Sequence, residues 1–203
     1  GFKPPFNPLL PAPPGVSLIV RLDGAGMWMD DNGGDWTNLV SGNQAQKSGR
    51  PVGWELLDHD IAVLDANTLS VSYVDGLMNL NMALAVNPVT NHLSVVGTEA
   101  INELRFEPNV NGIFVRSHLA LINLATSPPA ASISDMNNHL DYSVSTLPQS
   151  ERTRSLGDPR GVAWNGAGDK IYVTGMGSNN VIVLDETGNR IGLSETIEVG
   201  EGP

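Results

Sequence analysis

In 203 residues the chain carries 22 Asp and Glu against 11 Lys and Arg, a formal charge of −11. Phosphate recognition needs clustered cations, so nucleic acid and anionic membrane surfaces are excluded as partners. With no cysteine, disulfides, thiol chemistry and Cys-x-x-Cys-His haem attachment are excluded within these residues, and no apolar run of about 18 residues is present to cross a bilayer.

The chain opens on Phe2-Lys3-Pro4-Pro5-Phe6-Asn7-Pro8 and Pro11 to Pro14, which read as a proline-rich extended arm over residues 1–15. No basic segment followed by an apolar stretch stands at the N-terminus, so any export signal is expected to have been removed. Val16 to Leu22 is a β-branched, apolar strand. A polar, glycine-rich insertion over 24–53 follows it.

Strand pattern returns at His59 to Leu64 and at Leu69 to Val74, joined by the turn Asp65-Ala66-Asn67-Thr68. Further insertions are expected at 99–116, with Pro108 and Gly112, and at 126–156, with Pro128-Pro129 and the charged Glu151-Arg152-Thr153-Arg154. Loops of that length are uncommon in compact domains unless they serve a function. No segment sustains a 3.6-residue period, so little helix is expected.

A repeat runs beneath these interruptions. Gly157 to Gly200 carries four short strands: Arg160 to Trp164, Lys170 to Gly175, Asn180 to Asp185 and Thr196 to Val199. Ala85-Val86-Asn87 and His92 to Gly97 match Ala163-Trp164-Asn165 and Lys170 to Gly175 at one offset of 78 residues. A strand ending in Asp or Asn recurs as Ile61 to Asp65, Ala120 to Asn123 and Ile182 to Asp185. Four strands in about 40–45 residues describe one propeller blade, which cannot bury its faces without neighbours.

At Tyr172-Val173-Thr174-Gly175, with Gly177-Ser178-Asn179-Asn180 after it and Pro159-Arg160-Gly161 before it, the chain resembles the YVTN-repeat β-propeller family. Gly175 stands where the family has Asn. The resemblance is strong over 157–203, weaker over 80–124 and faint before Asp60. It implies an all-β fold of four-stranded antiparallel blades, here about three of them, at roughly 16–79, 80–156 and 157–203.

A closed propeller needs typically four to eight blades, so the propeller in this chain is incomplete. Gly200 to Pro203 reads as the opening of a further blade. Further blades are expected from the same or another polypeptide.

Asp30, Asp31, Asn32 and Asp35 gather hard oxygen ligands around Gly33-Gly34, so this segment is either a calcium loop or a solvated turn. The spacing lacks the terminal Glu of a known calcium loop. Trp28, Trp36 and Trp54, with Met27 and Met29, form a binding surface or fold the insertion back on itself. His59, His92, His118 and His139 occur singly; His139, with Asp141 nearby in a long loop, is a second metal candidate. Glu99 and Glu103 are paired acids without a recognisable pocket.

No catalytic signature is present. The chain therefore reads as a bacterial propeller scaffold, exported to the periplasm, cell surface or medium, whose insertions bind a protein or small ligand. The resemblance also implies an alternative, the propeller portion of a larger c-type haem oxidoreductase whose haem motif lies outside these residues.

Overall fold

The computed structural model describes residues 19–31, 33–101, 115–142, 144, 147–192 and 196–202. They fall into two compact units, one ending at Leu57 and including Ile101, the other spanning Asp58–Ala100 and Val115–Pro203. The fold is all-β and propeller-like, with four antiparallel sheets and short helical turns.

In the first unit, β1 (Val20–Leu22) pairs with β2 (Trp28–Asp30). Asp23 makes the turn, accepting the Ala25 and Met27 N–H groups at 2.9 and 2.8 Å. A one-turn helix α1 (Thr37–Val40) and a 3-10 turn (Ala45–Ser48) follow, with Val40 and Ala45 buried.

The second unit holds the blades. Its central sheet runs β5 (Leu80–Val86), β6 (Leu93–Ala100), β7 (Val115–Asn123) and β8 (Ala130–Asp135), each antiparallel to the next. The next sheet repeats the order with β9 (Pro159–Trp164), β10 (Lys170–Gly175), β11 (Asn180–Asp185) and β12 (Ile197–Glu198). A short helix α2 (Gln149–Thr153) lies between them in sequence. The segment 126–156, read from sequence as an insertion, thus contains the fourth strand of a blade.

Period-two alternation puts Ile171 and Val173 of β10 and Ile182 and Leu184 of β11 on one face. That face packs with Val96, Leu119, Met136 and Leu156 in a core whose members are at most 1% exposed. Burying each such side chain contributes roughly 1.5–3 kcal/mol. β9 lies against β5 and β6, so the contact runs sheet to sheet from the first strands outward.

Among the described residues the opposite face of the central sheet meets a hairpin, β3 (Ile61–Leu64) and β4 (Val71–Val74), together with Leu77 and Met78. Ile61, Val63 and Val74 pack there with Leu93 and Val95 of β6 and Ala120 and Ile122 of β7.

The repeated residues are turn chemistry. Asn87 Oδ1 accepts the Val89 and Thr90 N–H groups, and Asn165 Oδ1 accepts those of Asp169 and Lys170. Asp65 Oδ1 takes the N–H groups of Asn67 and Thr68, and Asp185 Oδ1 those of Thr187 and Asn189. The first pair turns strand one into strand two; the second turns strand three into strand four.

The blades are also tied by polar bonds. Asn87 Nδ2 donates to the Gly168 carbonyl at 2.9 Å, and Trp164 Nε1 donates to Ser94 Oγ at 3.0 Å. Gly168 has φ +71°, and a Cβ there would sit 2.6 Å from Asn87 Oδ1.

Candidate functional site

In the first unit the Trp28 and Trp54 rings lie 5.6 Å apart at a 37° tilt. Thr37 fixes the first by accepting the Trp28 N–H at 2.9 Å, and the Arg50 guanidinium stands 4.8 Å over the Trp54 ring. Leu22, Trp28, Ser41, Gly53, Trp54 and Glu55 line a groove of about 220 Å³. An apolar floor with one carboxylate at its wall suits a flat or aliphatic group that carries a donor or positive charge.

The acidic loop beside β2 is organised by the protein's own donors. Asp30 is buried and accepts the Gly34 N–H at 2.7 Å and Trp36 Nε1 at 3.0 Å. Asp31 pairs with Arg21, while Asp35 accepts the Thr37 N–H at 2.9 Å. Hydrogen bonds from Thr37 hold the Asp35 carboxyl below its usual range. The carboxylates thus serve different donors, and Asn32 lies outside the described residues. Among the described residues no three His, Asp or Glu side chains converge to hold a metal ion.

A polar cluster that no motif announces sits where β6, β7 and β8 meet. His118 is paired in register with Gly97 on one side and Asp135 on the other, and Arg116 with Glu99. Tyr142 donates its hydroxyl to Asp135 Oδ2 at 2.6 Å, under the Arg116 guanidinium at 4.1 Å from the ring centre. Burial, reinforced by Asp135, pushes the Tyr142 phenol far above its ordinary range. Among the described residues, His118 Nδ1 and Arg116 Nε are buried without a hydrogen-bond partner. Glu99 accepts the Asn79 N–H at 2.8 Å; Glu103 lies outside the described residues.

Desolvation pushes the His118 imidazole below its usual range, against the pull of Asp135 and Glu99 and with the push of Arg116. His139 is lowered chiefly by burial as well. In the unfolded chain both titrate near pH ~6.5, so as pH falls below that value the unfolded state binds more protons and stability drops until the lower folded pKa is passed. Calorimetry from about pH 7 to about pH 5 should show a falling melting temperature, and His118→Gln should flatten the slope. An unchanged slope in that variant would remove His118 from the account.

The remaining histidines take local roles. His139 Nε2 meets the Glu151 carbonyl at 3.2 Å, while Asp141 is exposed. His59 stacks on Tyr73 at 3.8 Å and contacts Asp75 through Nδ1 at 2.9 Å. His92 lies just before β6, its N–H on Thr90 Oγ1 at 3.3 Å.

No family model and no curated protein matches the chain. Among solved structures the chain is similar to Kuenenia stuttgartiensis hydrazine synthase, at 13% identity and a TM-score of 0.51. The match covers 69% of this chain and 43% of that one, so this chain spans less than half the length of the structure it resembles. At that identity the likeness shows the fold alone.

Proposed function

We propose that the chain is an exported propeller scaffold, built from YVTN-type blades, that binds a protein or small ligand through its insertions. The observation that carries this reading is the Trp28–Trp54 groove. The compact unit that ends at Leu57 places two tryptophans, an arginine and a glutamate around one groove. Loops that only connect strands have no need of such a constellation, and binding residues concentrate on loops carried by rigid frames. The acidic balance favours a ligand with a cationic group.

The test compares wild type with Trp54→Ala in the source cells. The native complex, followed by native mass spectrometry, should be lost in the variant, while calorimetry shows the blades melting as before. A complex that survives Trp54→Ala unchanged would refute the groove as the binding surface.

A second reading is compatible with the fold shared with a protein named as a synthase. The blades would then be the propeller portion of a larger c-type haem protein. Asp, Glu and His of this chain would not attach that haem, since the chain has no cysteine. A Soret band in the intact natural protein is the signature of this reading; a colourless protein contradicts it.

A further inference from the structure

The groove of the first unit offers more than its own side chains use. Its floor is the Trp28 and Trp54 rings, and the Arg50 guanidinium already stands over Trp54 at 4.8 Å. Among the described residues the indole N–H groups of Trp36 and Trp164 are bonded, to Asp30 and Ser94, whereas those of Trp28 and Trp54 have no acceptor. The Glu55 carboxylate at the wall is exposed and enters no ion pair among the described residues. The groove thus presents an apolar floor, two donors and one anion in about 220 Å³. That is below the roughly 300 Å³ at which drug-sized pockets begin, and it suits one or two side chains of a peptide.

One segment of the chain carries the complement. Residues 1–15 hold six of the 14 prolines, two phenylalanines, one lysine and no Asp or Glu, in a chain of net charge −11. A polyproline-type backbone makes no internal hydrogen bonds, so its carbonyls are free to accept from indole N–H groups, and proline itself has no N–H that needs an acceptor. Aromatic-lined grooves take such segments because little conformational entropy is lost on docking. Lys3 brings the one positive charge, to set against Glu55. The tether is short. β1 begins at Val20, roughly 7 Å of strand from Leu22 in the groove wall. The five residues from Gly15 to Ile19 reach up to roughly 17 Å, enough for the chain to return. Such a tether sets an effective concentration in the millimolar range.

We propose that residues 1–15 of the same chain occupy the Trp28–Trp54 groove, with proline rings against the indoles and Lys3 toward Glu55. The arm is then the groove's resident occupant. A ligand of the reading above, on which this consequence rests, binds by displacing it, and its apparent affinity is lowered in proportion to the fraction of chains whose groove is free.

Because the chain has no cysteine, Asn7→Cys gives a single nitroxide label in the full chain, read through the indole N–H resonances of Trp28 and Trp54. We expect both resonances to broaden relative to a diamagnetic label, independently of protein concentration. Pro4→Gly, Pro5→Gly and Pro8→Gly together should cut that broadening on the order of threefold, because the loosened arm loses more entropy on docking. Lys3→Glu should cut it as well. Broadening that survives both changes reports the tether alone and would overturn the proposal, as would sharp resonances beside the wild-type arm. So would broadening seen only when labelled chains are mixed with unlabelled, isotope-enriched ones, since the occupant would then be a second copy. The ligand reading fails separately. A native complex that survives Trp54→Ala refutes that reading and leaves the arm contact standing, whereas a complex lost in Trp54→Ala with no broadening by the label keeps the groove as a binding surface and removes the arm from it.

Discussion

Gly97→Ala should destabilise the blades by about 3–5 kcal/mol, the largest effect expected from the addition of a single methyl group. Gly97 lies in β6 opposite Asn81, where the β5–β6 register shifts. A Cβ there would overlap the Leu80 carbonyl oxygen and sit 2.6 Å from Met78 Sδ. The methionine can swing aside; the carbonyl belongs to the backbone of β5. Relief therefore requires β5 and β6 to separate at the strand pair on which β9 rests.

Gly166→Ala is the matched control, because a Cβ at that glycine has no heavy atom within 4 Å. Urea denaturation should show the first variant's midpoint far below wild type and the second within about 0.5 kcal/mol of it. Equal midpoints for the two variants would mean that the β5–β6 packing is not as described.

Asn137→Ala should cost about 3 kcal/mol, for a different reason. Asn137 is buried and brackets Leu156, accepting its N–H at 2.7 Å and donating to its carbonyl at 2.8 Å. Ser117 Oγ donates to the same carbonyl at 2.9 Å, and Asn180 Nδ2 holds the Ser155 carbonyl at 3.0 Å. These bonds satisfy the backbone of an irregular segment that carries Leu156 into the core between the two sheets. Alanine leaves the Leu156 N–H buried without that acceptor and opens a void beside a residue 1% exposed. Asn137→Asp should be no better, since a carboxylate would face the Leu156 carbonyl. A loss below about 1 kcal/mol for Asn137→Ala, measured by denaturant titration, would show that water replaces the bracket.

The repeat was legible because it is written in turn residues. Asn87, Asn165, Asp65 and Asp185 are fixed by backbone N–H groups within a few positions, so the same letters recur wherever the same turn recurs. β8 was not legible. Ala130-Ala131-Ser132-Ile133-Ser134-Asp135 has one large apolar residue, and its strand form comes from pairing with β7 rather than from its own pattern.

The sites divide in the same way. Trp28 and Trp54 could be singled out by residue type, and the structure brings their rings together. The cluster of Glu99, Arg116, His118, Asp135 and Tyr142 could not, since it exists only once three strands are in register. Its one local signal is Arg116 and His118 two apart on a strand, which places both on one face. The oxygen-rich loop at Asp30 to Asp35 looked like a ligand set because carboxylates that cap turns and carboxylates that bind cations share a composition.

The sheets β5–β8 and β9–β12 repeat one strand order and pack face to face as successive propeller-like blades. Electron cryo-microscopy of the intact natural protein tests this most directly. The maps should show four-stranded blades stacked around one axis, with β5 and β9 innermost. Sheets packed as a closed sandwich without a common axis, or blades with β8 and β12 innermost, would overturn this arrangement.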